Sequence, residues 1–139
     1  MMTTKIRLAK ALVKYEDKYL LLKKARDKYF PENVGKWECS GGLIEKGETS
    51  RQAILREVKR ETGLEFKVIK KLPTLRQTDE DYDSHCDIYL IEAKSNKVKL
   101  SDEHLSYKWI KAEEVKNMNL VLYASLLLEF FNNEGKYLK

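Results

Sequence analysis

The stretch GLIEKGETSRQAILREVKRETGL, Gly42 to Leu64, constrains this chain more than any other part of it. Thr49 and Ser50 are good caps after a glycine-containing turn, Gly63 is a natural terminator, and no proline intervenes. The pattern predicts a helix of about thirteen residues. At about 100° per residue, Ile54, Leu55 and Val58 form one apolar side. Glu57 and Glu61 are four apart, so they stack one turn above each other beside that side. Two carboxylates placed this way repel each other unless a cation or a basic side chain sits between them. The pair reads either as hard oxygen ligands for Mg2+ or Mn2+, or as a solvated face laced with Arg56 and Lys59.

The rest of the chain suits one domain spanning residues 1–139, long enough for a single core. Charged residues make up 35% and hydrophobic residues 42%, the balance of a soluble globular protein. No apolar run approaches the roughly twenty residues that cross a membrane. The amino terminus breaks its apolar patches with Lys and Arg, unlike a signal peptide, so the expected home is the cytoplasm. Cys39 and Cys86 have no metal-ligand spacing and read as reduced, buried thiols. The net charge is +5, and residues 1–36 hold ten Lys or Arg against four acids. That excess favours phosphate-bearing partners, and nucleotides satisfy it as well as nucleic acid does.

In chain order, Ile6 to Lys14 reads as a first strand, Glu16-Asp17-Lys18 as a tight turn, and Tyr19 to Lys24 as a buried second strand. Asp27 to Lys36 is a loop, and Trp37 to Ser40 is a short extended run into Gly41-Gly42. After the helix, Glu65 to Leu72 reads as a strand ended by Pro73. Asp79–Ser84 is a polar loop, followed by a strand over His85 to Ala93. Ser95 to His104 is a polar connection, Tyr107 to Ile110 a short strand, and Ala112 to Val115 the start of a short helix. A strongly apolar helix is expected over Leu120 to Phe131. Strands and helices in this order predict an α/β or α+β fold with a mixed sheet.

Five residues separate Gly42 from Glu48, seven separate Glu48 from Arg56, and Glu57, Val58, Glu61, Gly63 and Leu64 follow. This resembles the Nudix box, G-x5-E-x7-R-E-U-x-E-E-x-G-U with U aliphatic, at every fixed position except one, where the family's Glu is Arg60. The flanks fit as well, with Trp37 four residues before Gly41 and W-I-x-x-E-E-V beginning at Trp109. The resemblance implies an α/β/α sandwich. It also implies a metal-dependent hydrolase that cleaves the pyrophosphate linkage of a nucleoside diphosphate derivative. The favoured substrates are a nucleoside triphosphate or a dinucleoside polyphosphate.

The same resemblance assigns roles. Glu57 and Glu61 match metal ligands, and Gly41 offers its backbone carbonyl to the same Mg2+ or Mn2+. Arg56 and Glu48 match a pair that braces the loop against the helix. Glu103 stands where some relatives place a distal ligand or general base, with a solvated loop residue as the alternative. Tyr82 falls where relatives acting on dinucleoside polyphosphates carry a tyrosine, and Trp37, Tyr29 and Phe30 offer rings to a nucleobase or to the core. His85 and His104 read as surface or strand residues rather than bases. Arg60 lies at the edge of the acidic patch, where it repels a metal, swings out or grips a substrate phosphate. The competing reading is a degenerate Nudix domain that binds a nucleotide or RNA without turning it over. The sequence leaves a homodimer open, and neither a membrane nor nucleic acid is favoured as partner.

Overall fold

Eleven successive residues of the first strand, Thr4 to Lys14, run parallel to Tyr82–Glu92, and this pairing makes the sheet mixed. The computed structural model describes residues 3–121. Its strands are β1 (Thr4–Tyr15), β2 (Lys18–Lys24), β3 (Trp37–Glu38), β4 (Ser40–Leu43), β5 (Phe66–Thr78), β6 (Tyr82–Ala93) and β7 (His104–Ile110). The helix α1 spans Ser50–Thr62, and short 3-10 segments cover Pro31–Asn33 and Ala112–Asn117. The strand order is β3-β2-β1-β6-β5, with β7 against β2 and β4 against β1.

The outer edge of β1 is shared. Lys14 and Tyr15 pair with Tyr19 and Lys18 of β2, whereas Leu8 to Ala11 pair with Leu43 to Ser40 of β4. The sheet therefore forks along β1, and the fork delivers Ser40-Gly41-Gly42 to the foot of α1. Only glycine fits at 41. Its φ is +137°, and a Cβ there would lie 2.1 Å from the carbonyl oxygen of Ala9.

Alternation along the strands sends side chains to two apolar faces. Ala9, Ala11, Val13, Leu20 and Leu22 meet Ala53, Ile54 and Val58 of α1. Leu12, Tyr19, Leu21, Leu72, Ile88, Leu90 and Ile110 fill the opposite face with Val115. A strand covered on both sides explains the unbroken Leu20-Leu21-Leu22 run. The helix begins with a capping box, Thr49 Oγ1 accepting from Gln52 N and Gln52 Oε1 from Thr49 N. It ends at Gly63 in the left-handed conformation, φ 69°.

Several expectations need correction, among them β7, which begins at His104 rather than at Tyr107. Strand β5 does not stop at Pro73 but runs on to Thr78. It is an edge strand of the described sheet, and Pro73 falls in the register shift between Leu72 and Leu75, where no ladder donor is required. Strand β6 begins at Tyr82, so the polar loop shrinks to a turn in which Asp79 Oδ1 accepts from the backbone of Asp81 and Tyr82. Leu55 is 47% exposed, and the inward face of α1 is instead Ala53, Ile54, Glu57, Val58, Glu61 and Thr62. Of the helix expected over Leu120–Phe131, only the first two residues are described. Leu120 bridges to Trp37 as extended chain, and the remainder lies outside the described residues.

Candidate active site

The inward-facing carboxylates are what set α1 apart from an ordinary amphipathic helix. Glu57 and Glu61 are 5% and 2% exposed, a costly placement for acids unless something pairs with them. Glu61 Oε1 accepts 2.8 Å hydrogen bonds from Ser40 Oγ and from the backbone N–H of Gly41. The sheet fork thus fixes this carboxylate directly. Burial pushes its pKa up to about 7, against the opposing pull of Lys10, His104 and those two hydrogen bonds. Glu57 is admitted by Gly42, because a Cβ at position 42 would lie 2.5 Å from Glu57 Oε2.

Glu103 comes from far along the chain. The segment before it is tied to the end of α1 by Lys99 N–H donating to Thr62 O and Ser101 N–H to Glu61 O, and Glu103 O accepts from Ala25 N. These ties bring Glu103 to the pair, so that one oxygen each of Glu57, Glu61 and Glu103 lie within 4.8 Å of one another. Three carboxylates, two of them buried and one in a cradle that a Cβ would fill, form a donor set suited to Mg2+ or Mn2+.

Basic residues surround the acids. Arg56 clasps Glu48 with two nitrogens at 2.8 and 2.9 Å, donates to the carbonyl of Leu43, and contacts Glu57. The helix is thereby tied to the turn that precedes it, and these hydrogen bonds draw the Glu48 pKa down to about 2. Arg60 lies between two of the acids, not at the edge of the patch as expected from its helix position. It donates to Glu57 at 2.7, 2.9 and 3.2 Å and to Glu103 at 2.7 and 3.2 Å. Its hydrogen bonds hold the Glu103 carboxyl below the usual range.

These groups line a cleft of about 1040 Å³ that also contains Tyr29, Phe30 and Tyr82. Tyr82 meets Tyr29 and Phe30 edge-on, with ring centroids 5.7 and 5.2 Å away. Trp37 is not among the lining residues. It packs against the Leu12–Ile110 face, with Lys23 Nζ 6.0 Å from its ring. His85 is a partly exposed strand residue beside Asp83.

One cluster in this cleft was not foreseen. Lys10, 4% exposed, donates to Glu38 Oε1 at 3.0 Å and to the carbonyl oxygens of Gly41 and Cys39 at 3.2 and 3.4 Å. Glu38 also binds Lys24 at 3.0 Å and His104 Nε2 at 2.8 Å. Burial works against the Lys10 charge, but Glu38 and Glu61 outweigh it and its pKa is raised. A lysine in the middle of the apolar run Leu8-Ala9-Lys10-Ala11-Leu12 is the signal that would have revealed the cluster.

Residues 5–129 match the family model of the NUDIX domain. The nucleoside triphosphatase NudI of Escherichia coli O139:H28 is 31% identical over 121 residues, spanning 78% of this chain and 84% of that protein. Among solved structures, the MutT protein from Methanosarcina mazei Go1 superposes with a TM-score of 0.83 at 26% identity, covering 98% of this chain and 99% of its own. A C. elegans Ap4A hydrolase binary complex matches with a TM-score of 0.74 at 21% identity, covering 92% and 96%, a likeness of fold alone.

Proposed function

This chain belongs to the Nudix hydrolase family, and from that premise we propose that it is a single-domain, metal-dependent pyrophosphohydrolase acting on a nucleoside triphosphate or a dinucleoside polyphosphate. The observation that carries the reading is the convergence of Glu57, Glu61 and Glu103 in a cleft large enough for a nucleotide. A 31% identical relative bearing the name nucleoside triphosphatase supports the triphosphate as first choice.

In this reading Glu57, Glu61 and Glu103 would hold Mg2+ or Mn2+, while the Gly41 carbonyl expected to join them accepts from Lys10 instead. Such an ion neutralises a pyrophosphate and lowers the pKa of bound water. The residues of the chain do the rest. Ser40 and the Gly41 N–H fix one oxygen of Glu61, leaving the other for the ion. Arg56 holds Glu57 from the side and ties it to the Glu48 turn. Tyr29, Phe30 and Tyr82 offer aromatic surface in the same cleft for a base. Two buried free thiols suit a reducing, cytoplasmic setting, and no helix among the described residues is long and apolar enough to cross a membrane.

A second reading rests on the Arg60 bridge: a non-catalytic domain that binds a nucleotide or RNA with its acids already neutralised. Product analysis over a panel of nucleoside triphosphates and dinucleoside polyphosphates, with Mg2+, Mn2+ or chelator, separates the two. Metal-dependent release of phosphate or pyrophosphate is the expected result. Binding without turnover across the panel favours the second reading.

A further inference from the structure

We propose that Arg60 is the resident cation of the acidic site, and that its bridge between Glu57 and Glu103 and a divalent ion on those carboxylates exclude each other. The inference rests on the metal-dependent reading above and adds a competitor built into the chain.

The geometry is specific. One guanidinium spans both acids, with Nη1 2.7 Å from Glu103 Oε1 and Nη2 2.7 Å from Glu57 Oε2. Every hydrogen-bond partner shown for Arg60 is thus a candidate metal ligand. Arg56 differs, because its other partners Glu48 and Leu43 keep it anchored whatever happens at Glu57. The Arg60 side chain is 44% exposed, so it can leave toward solvent, whereas the Glu57 side chain is 6% exposed and cannot follow.

The chemistry makes the two states exclusive. A guanidinium has five donors and no acceptor, stays protonated, and cannot ligate a metal. An ion that takes both Glu57 and Glu103 competes for the carboxylate oxygens on which Arg60 now donates, and it repels a positive charge held on them. Linkage is reciprocal, so the bridge weakens metal binding by the factor by which metal weakens the bridge. The bridge also keeps the buried Glu57 paired when no metal is present. A glutamate at position 60 could do neither.

The test is calorimetric titration with Mn2+ alone, without nucleotide, of the natural protein and three variants. Arg60→Gln removes the bridge and should lower the dissociation constant about tenfold or more. Arg60→Lys keeps the charge on a point donor that cannot span both acids, and should fall between. Lys59→Gln removes one charge from the same helix where the lysine pairs with Glu65 at 3.0 Å, away from the three acids, and should change it less than about twofold. Thermal unfolding without metal verifies the fold, and Arg60→Lys decides the matter if Arg60→Gln does not fold. An unchanged constant in Arg60→Gln and Arg60→Lys overturns the proposal. So does equal tightening by Lys59→Gln, which would make the effect one of general field. Absence of Mn2+ binding in all four proteins at millimolar concentration sinks the metal-dependent function itself. Tightening with no nucleotide turnover would leave the inference standing and remove only the activity.

Discussion

Lys10 and Glu38 form an ion pair at 3.0 Å with side chains 5% and 4% exposed, on the cleft side of the sheet fork. The lysine also reaches the Gly41 carbonyl at 3.2 Å, so one buried ammonium touches both the core pair and the backbone beside Glu61. Removing one member of a buried pair leaves the other's charge uncompensated, which costs about 3–5 kcal/mol. Glu38 keeps Lys24 and His104, so Lys10→Met should fall at the low end, about 3 kcal/mol by urea unfolding. The pair raises the lysine pKa, so its contribution is complete below the ordinary lysine value and disappears only in strong alkali. A cost below about 1 kcal/mol would show that Lys24 and His104 suffice.

The thiols give a second expectation. Burial pushes both Cys39 and Cys86 up to about 12. At pH 8 the thiolate fraction is then about one in ten thousand. The folded protein should resist iodoacetamide, and both residues should label once urea unfolds it. Mass spectrometry counts the adducts, and one fast-labelling site in the folded state would contradict the burial.

Activity should depend on the buried acids. Glu57→Gln and Glu61→Gln keep shape and remove charge, and each should lower kcat/KM at saturating Mg2+ by about two orders of magnitude or more, about 3 kcal/mol of barrier. Turnover unaffected in both would remove these residues from the reaction. Glu48→Gln should cost less, because Glu48 holds Arg56 rather than an ion.

What was legible in the sequence was local. The Thr49 cap, the Gly63 stop and the Glu57–Glu61 spacing lie within a few turns of chain, and α1 spans Ser50–Thr62 between that cap and that stop. The cluster on Glu38 was not legible, because its partners stand 14, 28 and 66 residues away and only the pairing of β1, β2, β3 and β7 brings them together. Pro73 misled because a local rule for breaking strands takes no account of an edge position. Leu55 misled because an apolar stripe was sought on a helix whose buried face is partly carboxylate.

The two glycines of β4 should separate folding from chemistry. At position 41 an added methyl meets backbone, 2.1 Å from Ala9 O and 2.7 Å from Lys10 Cα, at a φ of +137°. Neither neighbour can move without opening the β1–β4 ladder, so Gly41→Ala should destabilise by about 3 kcal/mol or more. At position 42 the methyl meets the far end of one side chain, 2.5 Å from Glu57 Oε2, and the backbone conformation there is ordinary. That carboxylate can turn within its pocket by giving up part of its Arg60 contacts. Gly42→Ala should therefore cost about 1 kcal/mol or less in stability, while displacing an oxygen from the acidic site. The expected result is near-normal unfolding with activity reduced at least tenfold and a higher Mn2+ requirement. Equal destabilisation by both substitutions would mean that Glu57 is held too firmly by Arg56 and Arg60 to yield. Full activity in Gly42→Ala would show that Glu57 Oε2 is not needed where the structure places it.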